Sequence, residues 1–235
     1  VHSILGNHNN SIIYYQEAMK WLTEEDSSLL AIILLNMGDE YYLSAMYDSA
    51  LVSFEKSMAI YEALNNDPSG LAYNLGNIGL VQAEMGNLKE AESKVSQAIA
   101  SLEVLEDHYG SAIFLSYMAE IYKEKGLLKE AKVLADSSMR ISKKYGLKAE
   151  IRDNSLRLAD IYAMSSDYEL AYKYHQQYVE LKDSLSNDEI LNQIESLENA
   201  FELAKKQSEV DLLTARQKNQ QTIIITGIII TVILT

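Results

Sequence analysis

The chain has 235 residues, a net charge of −14, a single proline and no cysteine. That charge argues against a nucleic-acid binder, because phosphate recognition needs clustered Lys and Arg, and it fits a self-repelling surface that prefers a basic partner. The missing cysteines exclude a disulfide frame and any thiolate metal site, and leave both redox compartments open.

The chain begins at Val1, in mid-pattern and without a signal-peptide signature, so it reads as a piece of a longer protein. Its first segment, Gly6-Asn7 followed by Ser11 to Tyr15, is a truncated copy of a pattern that then returns four times. The small residue opening each second helix falls at Ala50, Ala91, Ala131 and Ala171, in steps of 41, 40 and 40, with Ser11 lying 39 before Ala50. A fixed period of this size marks a stacked array of two-helix units, and such arrays are usually binding surfaces.

Within each unit the apolar residues recur at three- and four-residue spacing. In the first complete unit they are Leu30, Ile33, Leu34, Met37 and Tyr41, then Leu51, Phe54, Met58 and Tyr61. Turns are expected at Met46-Tyr47-Asp48, Met85-Gly86-Asn87, Lys125-Gly126 and Ser165-Ser166-Asp167. Asn87 with Glu90, and Ser166 with Glu169, have the spacing of a capping box. Between units, Pro68 suits the first turn of a helix and Gly146 a left-handed C-terminal cap. Short connections imply antiparallel neighbours. Gly38, Gly79, Ala119 and Ala159 on the first helices would face Ala50, Ala91, Ala131 and Ala171, where a close crossing leaves no room for larger side chains. Tyr41, Tyr122, Tyr162, Phe54, Tyr174 and Tyr178 would fill the space between pairs.

These small, aromatic and turn-glycine positions resemble the tetratricopeptide repeat across residues 1–185. The resemblance implies an all-α, right-handed α-solenoid of about four and a half helix pairs. Departures are Gln82, Val95 and Ala135 at aromatic positions and Ala45 and Ser166 at turn glycines. The forty-residue period, longer than the usual repeat, implies helices extended by about a turn. In such arrays the first helix of each pair lines a concave groove, which here would present Asp39, Tyr42, Tyr73, Leu80, Glu120, Lys123 and Asp160. The Lys and Asn pattern that clamps a peptide carboxylate in some members is missing. Instead Asp39, Glu120 and Asp160 share one row, interrupted by Leu80. That row reads either as a solvated acidic face or as a groove for a basic, or mixed basic and apolar, peptide or helix.

No catalytic motif, cofactor loop or metal-ligand spacing appears. His2, His8, His108 and His175 lack ligand spacing, and His175 occupies a slot filled by Tyr15 and Phe54 in other copies, as a core histidine would. The chain is therefore read as non-enzymatic, with no cofactor.

From Ser186 the pattern changes. Ser186 to Glu189 reads as a capping box opening a helix over 186–221, with Ile190, Ile194, Leu197, Phe201 and Ala204 at coiled-coil spacing. Val210 and Leu213 offer a displaced register beyond Ser208 and Asp211. This segment reads either as a parallel dimer stalk or as a cap on the last repeat. The final stretch, 222–235, carries no charge. It is too short for the roughly 20 residues a bilayer needs, and is expected to be the start of a transmembrane helix.

Array, stalk and membrane helix in that order resemble the input half of bacterial membrane signalling proteins. The resemblance is carried by Tyr174-His-Gln-Gln-Tyr-Val-Glu-Leu-Lys-Asp-Ser-Leu185 and by Glu209-Val-Asp-Leu-Leu213. By that analogy it implies a periplasmic repeat domain that receives a protein or peptide. A nucleotide cyclase, histidine kinase or helix-turn-helix output would follow. The alternative is a passive, membrane-tethered assembly scaffold.

Overall fold

The computed structural model describes residues 7–64 and 67–186, and in the last stretch residues 203, 205–207, 210, 211, 213, 214 and 218. It contains α1 (His8–Met19), a 3₁₀ turn (Glu24–Asp26), α2 (Ser27–Leu43), α3 (Tyr47–Leu64), α4 (Pro68–Glu84) and α5 (Leu88–Val104). These are followed by α6 (His108–Glu124), α7 (Leu128–Tyr145) and α8 (Lys148–Met164). A further helix, α9, covers 168–186. No strand occurs among the described residues.

The complete helices from α2 to α8 are 17 or 18 residues long, so the extra length of the period does lie in the helices. Ala50, Ala91, Ala131 and Ala171 are each the fourth residue of α3, α5, α7 and α9, and all are buried. Ser11 is the buried fourth residue of α1, which is thus the second helix of a pair.

One turn geometry closes every pair. Ala45, Gly86, Gly126 and Ser166, two residues past the ends of α2, α4, α6 and α8, all have positive φ, between 56° and 83°. At each, two successive amides reach back to the helix's last turn; at Gly86 they are Gly86 N–H to Ala83 C=O and Asn87 N–H to Gln82 C=O. This satisfies carbonyls that the helix end would otherwise leave unpaired. Alanine and serine at two of the four sites hold the same conformation as glycine does at the others.

The capping boxes at Asn87 and Ser166 do not form. Asn87 donates its side-chain amide to Gln82 Oε1 at 2.7 Å, so Gln82 braces the turn where other copies carry an aromatic. Ser166 is the left-handed residue, and Asp167 is the cap, accepting from Leu170 N–H at 3.3 Å. Asp67 and Asp107, both missed as caps, accept from Gly70 and Gly110 N–H at 3.0 and 2.8 Å. Pro68 at the start of α4 and Gly146 at φ 69° after α7 sit as their chemistry requires.

Within a pair the helices are antiparallel: Ser57, late in α3, donates to Ala31 C=O, early in α2. Helix packing follows chain order, and in addition α2 meets α4, α4 meets α6 and α6 meets α8. Among α1, α3, α5 and α7, the second helices of successive pairs make no such contact. The first helices therefore form the inner, more crowded layer of a curved stack. Close approach there is set by glycine against aromatic rings. A Cβ on Gly38 would lie 2.5 Å from the Phe54 ring, and one on Gly76 would lie 2.3 Å from Phe114. The partner of Gly38 is thus Phe54, four residues beyond the expected Ala50, whereas Gly79 does approach Ala91 O and Val95.

Two junctions between pairs share a buried polar bridge. Asn74 Nδ2 donates to Ser57 Oγ, and Asn154 Nδ2 donates to Ser138 Oγ, at 2.9 and 2.7 Å. Each serine in turn donates to the carbonyl of Ala31 or Ala112 on its own first helix. At the junction between these two, Ala98 and Phe114 replace the pair, and Phe114 fills the notch over Gly76.

The chain divides into two compact units, Val1–Lys182 and Asp183–Thr235. Ser186, expected as a helix cap, is itself helical, the last described residue of 168–186. In the second unit Leu203, Val210 and Leu213 are exposed on helical residues. The proposed seam Ile190, Ile194, Leu197, Phe201 and Ala204, and the apolar stretch 222–235, lie outside the described residues. Among the described residues no helix is long and apolar enough to cross a membrane.

Candidate ligand-binding groove

The inner face of α2, α4 and α6 holds two adjoining concavities that share Tyr42, Leu80 and Tyr117. The first, about 490 Å³, is walled by Leu35, Asn36, Asp39, Tyr42, Tyr73, Asn77, Tyr109 and Ile113, among others. The second, about 470 Å³, adds Glu84, Glu120 and Glu124. Both are within the size range of small-molecule or side-chain sites. Four predicted groove residues, Asp39, Tyr42, Tyr73 and Leu80, meet in the first; Glu120 joins Tyr42 and Leu80 in the second. Lys123 lies beside Glu120 on α6 but not in either wall, and Asp160 is exposed on α8, apart from both.

The acidic row is not a uniform acidic surface. The tenth residue of each inner helix bonds to, or lies beside, the thirteenth residue of the preceding one. Asn77 donates to Asp39 Oδ1 at 2.8 Å, Tyr117 lines the same space as Leu80, and Arg157 donates to Glu120 at 3.0 Å. Arg157 also donates to Ser116 Oγ and lies over the Tyr117 ring, 4.8 Å from its centroid. Glu120 takes a second cation, Lys123, at 2.5 Å. Its charge is therefore compensated within the protein, unlike that of an acid on a bare face.

Asp39 has no such compensation. Burial pushes its carboxyl up to about 7, with the neighbouring Glu40 adding to the shift. The tyrosines around it keep their protons: burial raises Tyr42, Tyr73, Tyr109 and Tyr117 above the usual phenol range. Near neutral pH this stretch offers hydroxyl and amide hydrogen-bonding groups set among Leu35, Leu80 and Ile113. Tyr73 is oriented by donating to Asp107 Oδ2 at 3.0 Å, the carboxylate that also caps α6.

Asn36, Asn77, Tyr117 and Arg157, one row of the inner helices, and Glu84 beyond them were not foreseen as groove residues. Their signal was present as a second recurring row in the sequence. It lay outside the positions counted because the stagger between neighbouring helices brings it in. The histidines take other roles. His8 Nδ1 contacts Glu40 Oε2 at 2.7 Å, and His108 stacks on Tyr145 with centroids 4.2 Å apart. His175, expected in the core, is exposed and tilted against Tyr178.

Fold and groove together define an all-helical solenoid of tetratricopeptide-like helix pairs. The family model described as tetratricopeptide repeat matches residues 1–63. Among solved structures, a Rap protein complexed with competence and sporulation factor superposes with a TM-score of 0.72 at 15% identity, over 80% of this chain and 52% of that one. The Rap conjugation gene regulator of plasmid pLS20, in complex with the Phr* peptide, gives 0.71 at 14%, over 79% and 51%. BtubC from P. vanneervenii gives 0.61 at 17%, over 79% and 77%. The chain spans about half the length of these two Rap proteins, and at such identities the likeness is one of fold. No curated protein sequence matches it.

Proposed function

We propose that the inner groove binds an extended peptide or a peptide-like segment of a protein, and that this binding is the input of a membrane-anchored bacterial signalling protein. The observation that carries the binding reading is the pair of adjoining concavities, rich in tyrosine and carboxamide groups, on the inner layer of the stack. Aromatic walls give apolar contact, and fixed hydroxyl and amide groups give orientation, the combination typical of ligand sites. Two structures of this fold are complexes, one with the Phr* peptide and one with competence and sporulation factor. On this reading Asp39, Tyr42, Tyr73, Leu80 and Glu120 contact the ligand, while Lys123 and Asp160 extend the site toward α8. The signalling part rests on the order of array, 186–221 segment and apolar 222–235 stretch in the sequence.

A photo-reactive benzoylphenylalanine tests the groove. Placed at Tyr109, in the groove wall, it should cross-link members of a random nine-residue peptide library. Placed at Val133, exposed on α7, it should not. Equal labelling at both, or none at Tyr109, removes the groove as the binding site.

A further inference from the structure

The second concavity has the chemistry of a cation site, and the protein shows elsewhere how such a site is filled. Its wall contains Glu84, Glu120 and Glu124 with the rings of Tyr42 and Tyr117 and, among the described residues, no lysine or arginine. Glu84 is held by two phenol donors, Tyr42 OH and Tyr47 OH, each at 3.3 Å. The same grouping occurs between α5 and α6, where Tyr122 OH donates to Glu92 at 2.6 Å. There a lysine completes it: Lys125 Nζ lies 2.5 Å from Glu92 and 5.1 Å from the Tyr122 ring centroid. Arg157 repeats the arrangement with Glu120 and Tyr117. A cation over a tyrosine face and against a carboxylate is stabilised by both, more so where solvent is partly excluded.

We infer that the Tyr42–Tyr47–Glu84 group, with Glu124 across the same concavity, receives a cationic side chain, lysine or arginine, from the bound peptide. An apolar neighbour of that residue enters the first concavity, against Leu35 and Ile113. This deepens the peptide-binding reading and rests on it. The charge of −14 favours such a partner over an anionic one. Glu120 adds little, since Arg157 and Lys123 already neutralise it. The bound cation therefore answers to Glu84 and Glu124.

The probe is an array of immobilised nine-residue peptides with apolar flanks and arginine, its neutral isostere citrulline, or glutamate at the centre, presented to the 235-residue chain in detergent micelles. Arginine peptides should bind at least tenfold more tightly than their citrulline partners, and glutamate peptides least. In the Glu84→Gln/Glu124→Gln variant the ratio of arginine to citrulline binding should fall to about twofold, with the helical circular dichroism signal intact. Arginine and citrulline binding equally would overturn the cation site while leaving the groove reading in place. So would a preference that survives the double variant. A loss of citrulline binding in that variant would show that Glu84 and Glu124 hold the groove together and do not select charge. Failure of every peptide to bind would instead remove the groove reading, and the cation site with it.

Discussion

Asn77 of α4 donates to the carboxylate of Asp39 on α2 across 2.8 Å, and it does so at the two helix positions where Arg157 of α8 meets Glu120 of α6. One repeat geometry thus carries two opposite electrostatic outcomes. An amide leaves the acid unneutralised, and a guanidinium neutralises it.

The Asp39–Asn77 contact predicts a pH dependence. Asp39 is pushed up from an ordinary value of 3.8 to about 7 in the folded chain, by burial first and Glu40 second. The folded state then binds more protons than the unfolded state between about pH 4 and pH 7, so stability falls as pH rises through that window and is level above it. Asp39→Asn keeps an acceptor for Asn77 and removes the titration. Urea unfolding at pH 4, 5.5 and 7.5 should show the variant gaining on the wild-type chain as pH rises. Parallel profiles for the two proteins would contradict the assignment.

Gly76 should resist substitution. An alanine in mid-helix normally gains about 0.5–1 kcal/mol over glycine. Here its Cβ would sit 2.3 Å from the Phe114 ring, itself wholly buried, so the ring must move. Gly76→Ala should destabilise by about 1–3 kcal/mol, the usual cost of overpacking. An increase in melting temperature would show that the junction between α4 and α6 is looser than described.

The pair-closing turns predict the reverse at two other sites. Ala45 and Ser166 hold φ of 56° and 63°, a region costing an L-residue about 1 kcal/mol or more. Glycine relieves that cost, as it already does at Gly86 and Gly126. Ala45→Gly and Ser166→Gly should each raise stability by somewhat under about 1 kcal/mol, because the freer unfolded chain offsets part of the gain. Thermal unfolding of the double variant is the direct measurement, and a lower midpoint would count against the shared turn geometry.

Glu40 is buried on α2, and His8 from α1 contacts it at 2.7 Å. Removing His8 leaves a buried carboxyl without that partner, at a cost of about 1–3 kcal/mol. His8→Ala should therefore loosen α1 selectively. Hydrogen exchange should accelerate in His8–Met19 and along the facing part of α2, with α6 and α7 unaffected. Uniform protection in the variant would mean that Ile12, Leu34 and Met37 hold α1 without help.

The sequence by itself determined the helix pairs, their period and their turns. Those features depend on interactions within one helix or across one connection: a small residue four positions into each second helix, a left-handed residue two past each first helix, apolar stripes at helical spacing. Each repeats in every copy, so four copies speak for one another. What only the tertiary structure decided is how copies meet. Asp39, Glu120 and Asp160 share a position and look alike along the chain, yet one faces Asn77, one faces Arg157 and the third stands in solvent. Glu40 falls where its equivalents are Val81, Ile121 and Ile161, and only the packing of α1 shows why a carboxyl is tolerated there. The pairing of row ten with row thirteen comes from the stagger between neighbouring inner helices. That offset is set by side-chain bulk at glycine–aromatic contacts such as Gly76 with Phe114, contacts between residues 38 positions apart, which no period counted along a single helix contains.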